Sequence, residues 1–206
     1  MMERVLNAPF KYLRLRDDNG GLLFFHDFIF SIITILVLTV PFLLFGDASY
    51  FAKDGFLDKI AAFCSVLTGF YVAGLVAVAT FPIQKSGLDS EIIVGKIKWM
   101  TDEGWEYLSR REYVCALFGY LAAISLLITF TSIIIVTVRQ SIIVPENINI
   151  NINNVVIEKF YIKIFVIFLC NIPISHLISS TVRGLYYLMD RIYVQTPQIL
   201  PKKDLD

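Results

Sequence analysis

Two apolar runs flanking a polar stretch set the pattern of the chain. Ile60 to Phe81 holds no Asp, Glu, Lys or Arg, and neither does Tyr113 to Val138. Pro82 to Glu112, between them, carries five Lys/Arg and six Asp/Glu. Each run exceeds the roughly 20 residues with which a helix crosses a bilayer. Two further runs begin at Phe28 and near Phe160. The pattern predicts an all-α membrane protein of four transmembrane helices, about 28–45, 60–81, 113–138 and 160–182, the last extending beyond the membrane to Tyr193. Residues 1–27 are then a leader, 28–193 the membrane domain and 194–206 a tail.

Punctuation refines these elements. In the leader, Asn7-Ala8-Pro9 suits the start of a short helix, since Asn caps and Pro fits the first turn. Phe10, Tyr12 and Leu13 beside Lys11, Arg14 and Arg16 suit a segment lying on the membrane surface. Asp17-Asp18-Asn19-Gly20-Gly21 is a turn. Pro41 is expected to bend or fray the last turn of the first helix, and Pro173 to kink the fourth. Tyr50, Phe51 and Phe56 read as interfacial aromatics. Gly69, Ala73 and Ala77 recur every four residues, a row that admits close approach of another helix. Ala116, Gly119 and Ala123 form a matching row on the third helix, and the two rows are expected to face one another.

The middle loop shows helical spacing at Leu88, Ile92, Ile93, Ile97 and Met100, and it holds both tryptophans, Trp99 and Trp105. That predicts one or two short interfacial helices. Ser109-Arg110-Arg111-Glu112 matches a capping box, in which Ser109 and Glu112 each accept from the other's backbone N–H. In the loop before the fourth helix, Asn and Ile alternate strictly from Asn147 to Asn153. Two short paired strands or one edge strand would fit, and an Asn-rich loop is the alternative reading.

Composition agrees with a membrane protein, since 56% of residues are hydrophobic against the usual 45–50%. Lys+Arg and Asp+Glu are 18 each. A net charge of zero gives no electrostatic footprint for direct nucleic-acid binding. Cys64, Cys115 and Cys170 lie singly within apolar runs, as small packing residues would. The leader is too long and too acidic for a cleaved signal peptide, so the first helix is expected to remain as an anchor. Leader, middle loop and C-terminal part hold thirteen of the eighteen Lys/Arg. The positive-inside rule then places both termini and the middle loop in the cytoplasm.

Candidate chemistry is sparse. No nucleophile-and-base, paired-carboxylate or metal-ligand pattern stands at workable spacing, and the two histidines, His26 and His176, are isolated. No helix carries an Asp or Glu at membrane depth, which disfavours ion-coupled transport. No catalytic residue, cofactor or metal is therefore expected. Asn171, Ser175, His176 and Ser179 give the fourth helix a polar face, suited either to lining a pore or to hydrogen bonding within the bundle. Arg110, Arg111, Arg183, Asp190 and Arg191 are suited either to anchoring the helices at the membrane edge or to docking a soluble partner.

Gly69 to Phe81, Gly87-Leu88-Asp89, Leu108 to Tyr113 and Phe118-Gly119-Tyr120 resemble the corresponding parts of a set of small bacterial four-helix membrane proteins. Size, four crossings and lack of catalytic groups are also similar to the membrane subunit of the Kiwa anti-phage system. The resemblance implies an oligomeric membrane sensor working with a cytosolic, nucleic-acid-binding partner, and it carries over no site residue. The resulting expectation is a non-enzymatic membrane subunit that contacts lipid, self-associates and engages a cytosolic protein. A small channel is the alternative.

Overall fold

A computed structural model describes residues 9–17, 20–22, 28–45, 49–80, 92, 96–101, 104–141, 150–152, 155–157 and 159–189. Four helices dominate: α1 (Phe28–Leu44), α2 (Phe56–Thr80), α3 (Arg110–Ser141) and α4 (Lys159–Met189). The last three are long and apolar enough to cross a membrane. The 17 residues of α1 are equally apolar but span only about 26 Å. Ile29 and Val37 of α1, Val66 and Phe70 of α2, Phe130 and Ile134 of α3 and Phe165 and Leu169 of α4 are all exposed. Apolar surface of that extent on every helix is compatible with a membrane protein.

The helices form two antiparallel pairs, α2 with α3 and α1 with α4, joined where α3 meets α4. Antiparallel packing follows from the contacts. Along α2–α3, Thr68 meets Ser125 while Arg111 reaches the carbonyl of Val78. Along α1–α4, Ser31 bonds Ser175 while Thr39 bonds Asn171.

The face of α2 that meets α3 includes Ala61, Thr68, Tyr71 and Gly74. The predicted seam of Gly69, Ala73 and Ala77 is turned outward instead, all three being exposed. A Cβ built on Gly69 or on Gly119 meets nothing within 4 Å, whereas one on Gly74 meets the Phe118 ring at 3.3 Å. Ala116 and Ala123 are half-buried. The contact is set by a tyrosine, a phenylalanine and one glycine, because the Tyr71 and Phe118 rings stack, with centroids 6.3 Å apart. Large rings hold the axes apart where two small rows would draw them together.

Helix α2 begins four residues before the apolar run at Ile60. The turn before it explains why. Asp54 adopts φ of 61°, and its N–H donates to the Asp58 carboxylate at 3.1 Å. A Cβ on Gly55 would fall 2.6 Å from the Ser49 carbonyl oxygen, so glycine alone fits there. Helix α3 begins as its capping box predicts. The Ser109 N–H donates to Glu112 Oε2 at 2.9 Å, and the Glu112 N–H donates to Ser109 Oγ at 3.3 Å. Replacing Ser109 with alanine is expected to cost about 1 kcal/mol of thermal stability in detergent, typical of a lost N-cap.

Both internal prolines are accommodated within continuous helix. Helix α1 continues to Leu44 past Pro41, with the Phe45 N–H donating to the Pro41 carbonyl at 2.9 Å. Helix α4 runs unbroken through Pro173.

Five short strands complete the described residues. Strand β1 (Arg16–Asp17) pairs with β2 (Ile97–Thr101), which pairs with β3 (Gly104–Tyr107), all antiparallel. Among the described residues of the middle loop, Ile97–Thr101 and Gly104–Tyr107 are therefore paired strands, where the helical spacing places Ile97 and Met100 in an interfacial helix. Ile97, Trp99, Trp105 and Tyr107 are β-branched or aromatic and recur at every second position of their strands, which favours strand. Gly104 supplies φ of 133°, a conformation that L side chains rarely adopt. Leu88 and Ile93 of the predicted helices lie outside the described residues. Ile150–Ile152 (β4) pairs with Val155–Ile157 (β5), so the alternating Asn/Ile stretch does contain a strand, with its partner beyond it.

The leader also differs from expectation. Pro9–Arg14 forms a 3-10 helix that packs on α3. Tyr12 and Leu15 are fully buried, and the Tyr12 ring stacks on Tyr120 with centroids 5.2 Å apart. This segment is wedged into the end of the bundle, where burial of two large side chains outweighs spreading over a lipid surface. Asp17 and Gly20 close the turn that follows, Gly20 with φ of 79°.

Candidate functional site

Two places in the fold concentrate polar chemistry. The first is the polar face of α4. Asn171 is 0% exposed. Its side-chain oxygen accepts from Tyr50 Oη at 2.7 Å, and its amide donates to Thr39 Oγ1 at 3.1 Å. Ser175 Oγ donates to the Ser31 carbonyl oxygen. Thr181 Oγ1 donates to the Leu177 carbonyl and lies 2.7 Å from Tyr71 Oη. Ser179 and Ser180 are buried. His176 Nε2 lies 3.4 Å from Ser180 Oγ, and its ring packs edge-on to Tyr120.

These groups form an internal seam that ties α4 to α1, α2 and the turn before α2. Of the two sequence readings, pore lining or bundle hydrogen bonding, the geometry within one chain is the second. Asn171, Ser175 and Thr181 find partners inside this seam, as hydrocarbon demands, whereas Ser31 Oγ is buried with no hydrogen-bond partner among the described residues. Tyr50 is the member that sequence reasoning assigned elsewhere. Together with Phe51 it is buried, and it packs among Phe42, Phe51 and Phe56. These rings make a closed aromatic knot, not an interfacial belt, because the short turn folds them back onto α1. Burial raises the Tyr50 phenol above its ordinary pKa, with the neighbouring Cys170 adding to the effect, so the hydroxyl stays a neutral donor.

The second place is the three-stranded sheet at the opposite end of the bundle. Strand alternation puts Ile97 and Trp99 on its inner face, where Ile97 is buried with Leu108 and Leu15. Arg16, Lys98 and Tyr107 stand side by side across the three strands, since Arg16 pairs with Lys98 and Lys98 with Tyr107. Met100 and Trp105 share that outer face and pair with each other. Met100 is 64% exposed, Trp105 48% and Tyr107 46%. The cations of this region lie over rings, with Arg16 5.1 Å from the Trp105 centroid, Lys96 and Lys98 4.9 and 5.3 Å from Tyr107, and Lys11 3.8 Å from Trp99. A pocket of about 360 Å³ opens here, lined by Arg16, Asp17, Gly20, Lys98, Trp105 and Tyr107.

The arginines proposed for docking are placed differently. Arg110 is only 6% exposed, and Arg111 Nη1 donates to the Val78 carbonyl at 2.9 Å. Both belong to the packing at the start of α3, where the guanidinium of Arg111 bonds a carbonyl near the end of α2. Arg183 is half-buried on α4, and Asp190 and Arg191 lie outside the described residues. Cys64 is buried, and Cys115 and Cys170 are half-buried. No group of three or more His, Cys, Asp or Glu that could hold a metal occurs among the described residues.

The chain matches no protein-family model, no curated protein and no solved structure.

Proposed function

We propose that the protein is a non-enzymatic subunit of a bacterial inner membrane, crossing it four times with both termini in the cytoplasm. It acts as an oligomeric sensor or scaffold that presents its three-stranded sheet to a cytosolic protein. The observation that carries this reading is the outer face of the sheet. Met100, Trp105 and Tyr107 are large, exposed and adjacent, with cations standing over the rings. Aromatic, Met and Arg side chains are the types enriched at protein interfaces.

The docking role therefore moves from Arg110 and Arg111 to this sheet. Self-association has support in the outward row of Gly69, Ala73 and Ala77, which leaves room for a second copy in the membrane. The resemblance to the membrane subunit of the Kiwa anti-phage system supports placing the activity in antiviral defence. The alternative of a small channel is disfavoured, because Asn171, Ser175 and Ser179 bond or pack within one chain.

Co-purification from the native host tests the proposal. The wild-type protein is expected to recover a cytosolic partner and to migrate as an oligomer. Met100→Asp is expected to lose the partner while keeping its thermal midpoint, since Met100 faces outward. A monomer that recovers no partner would contradict the reading.

A further inference from the structure

We propose that the pocket on the outer face of the three-stranded sheet binds the phosphodiester headgroup of an anionic phospholipid, held by Arg16 and Lys98 against Trp105 and Tyr107. This rests on the sensor reading above and names the class of ligand that such a sensor would take.

Charge comes first. Arg16 and Lys98 are cross-strand partners on one face, and both line the pocket. Asp17 is the one carboxylate among the lining residues, so the lining carries a net charge of +1. That balance suits a single phosphodiester charge. It suits less well a multiply phosphorylated group, which Asp17 would repel. Two cations on neighbouring strands offer donors to separate phosphate oxygens, and the guanidinium of Arg16 can bond in a bidentate manner.

Shape and surroundings come second. The volume of about 360 Å³ accommodates a glycerophosphodiester with its polar substituent. Trp105 and Tyr107 supply amphipathic ring surface, the residue type that collects at headgroup depth.

Position favours lipid over a soluble phosphate ester. Tyr107 is three residues before Arg110, the first residue of α3. Extended chain covers at most about 3.5 Å per residue, so the pocket lies within roughly 10 Å of the start of that membrane helix. Leu22, which bridges to Arg16, is six residues before Phe28, the start of α1. The site is thus tied by short tethers to the ends of two apolar helices, at the depth where headgroups lie.

The chain has two tryptophans, and Trp105 lines the pocket. Trp99→Phe therefore leaves Trp105 as a single fluorescent reporter. The full chain carrying this change, in detergent micelles, is titrated with short-chain phosphatidylglycerol, short-chain phosphatidylcholine, glycerophosphoglycerol and inorganic phosphate. A saturable change in Trp105 emission is expected with phosphatidylglycerol at the lowest concentration, with glycerophosphoglycerol only at much higher concentration, and not with phosphatidylcholine or inorganic phosphate. Arg16→Gln and Lys98→Gln are each expected to weaken it about tenfold, the loss of one charge-assisted bond. Arg16→Lys should retain most of the affinity, which separates lost charge from lost fold.

An equal response to phosphatidylcholine, or undiminished binding in both glutamine variants, would overturn the site. A response to glycerophosphoglycerol or inorganic phosphate as strong as that to the lipid would overturn the choice of a membrane lipid over a soluble phosphate ester. Lipid binding that persists in Met100→Asp while partner recovery is lost would support both readings. Absence of lipid binding in the Trp99→Phe chain, with partner recovery normal, would remove this site and leave the docking surface standing.

Discussion

Replacing Asn171 with leucine is expected to lower the stability of the bundle by about 2 kcal/mol or more, read as a fall in the thermal midpoint in detergent. Leucine has similar bulk and greater hydrophobicity, so a purely apolar view of membrane packing would predict no loss. The seam predicts otherwise. Asn171 is the acceptor for Tyr50 and the donor to Thr39, joining α4 to α1 and to the turn before α2. Leucine leaves the Tyr50 hydroxyl buried without its acceptor, and an unsatisfied buried polar group costs about 1–3 kcal/mol. Tyr50→Phe removes the donor while Asn171 keeps Thr39, and should cost only about 1 kcal/mol. In the double variant the two losses should not add, because both act on one bond. Burial raises the folded-state pKa of Tyr50. The stabilisation is therefore fully present below the unfolded value of about 10 and is lost as pH climbs through the higher folded value. The difference between wild type and Tyr50→Phe should stay constant between about pH 6 and 9.

Gly184→Leu is expected to separate α3 from α4. Gly184 is buried, and a Cβ added there would lie 2.8 Å from Leu117 Cδ2. Leu117 is itself 0% exposed, so its methyl group has little room to retreat. Forcing extra carbon into such a site costs about 1–3 kcal/mol. The neighbouring contact between Tyr113 and Tyr187, with centroids 4.5 Å apart, would open as well. A loss of near-ultraviolet circular dichroism should accompany the lower midpoint. Leu117→Ala should cost less in the Gly184→Leu background than in the wild-type chain, since the smaller partner makes the space. If Gly184→Leu behaves as wild type, α3 and α4 do not meet as described.

The long periodic features were legible in the sequence, and the reasons are local. An uninterrupted apolar run has one low-energy fate in lipid, so α2, α3 and α4 fall near their expected positions. The capping box was legible because Ser109 and Glu112 satisfy each other within a single turn. The alternation of Asn and Ile allowed a strand near Ile150 without deciding against an Asn-rich loop, and it gave no sign of the partner strand Val155–Ile157, which lies beyond it.

What the sequence did not convey depends on partners far along the chain. Small residues at Gly69, Ala73 and Ala77 proposed a seam, yet α2 turns Thr68, Tyr71 and Gly74 toward α3. Spacing alone cannot choose between two faces of one apolar helix. The polar face of α4 was visible, but its partners Ser31, Thr39 and Tyr50 stand more than a hundred residues away. The hairpin over 97–107 had a local signal in its alternating aromatics and Gly104. It was obscured by helical spacing that ran in from Leu88. Strand β1 is two residues long, too short for any periodicity, and exists because β2 offers it an edge.

The most direct test of the account is the side of the membrane on which the sheet lies. In a chain whose three native cysteines are replaced by alanine, single cysteines are placed at Lys53, in the exposed turn before α2, and at Met100, on the outer face of the sheet. Intact cells are then treated with a membrane-impermeant maleimide. Lys53→Cys should be labelled at once, and Met100→Cys only after the cells are permeabilised. Labelling of Met100→Cys in intact cells, or of both positions from the same side, would contradict the account.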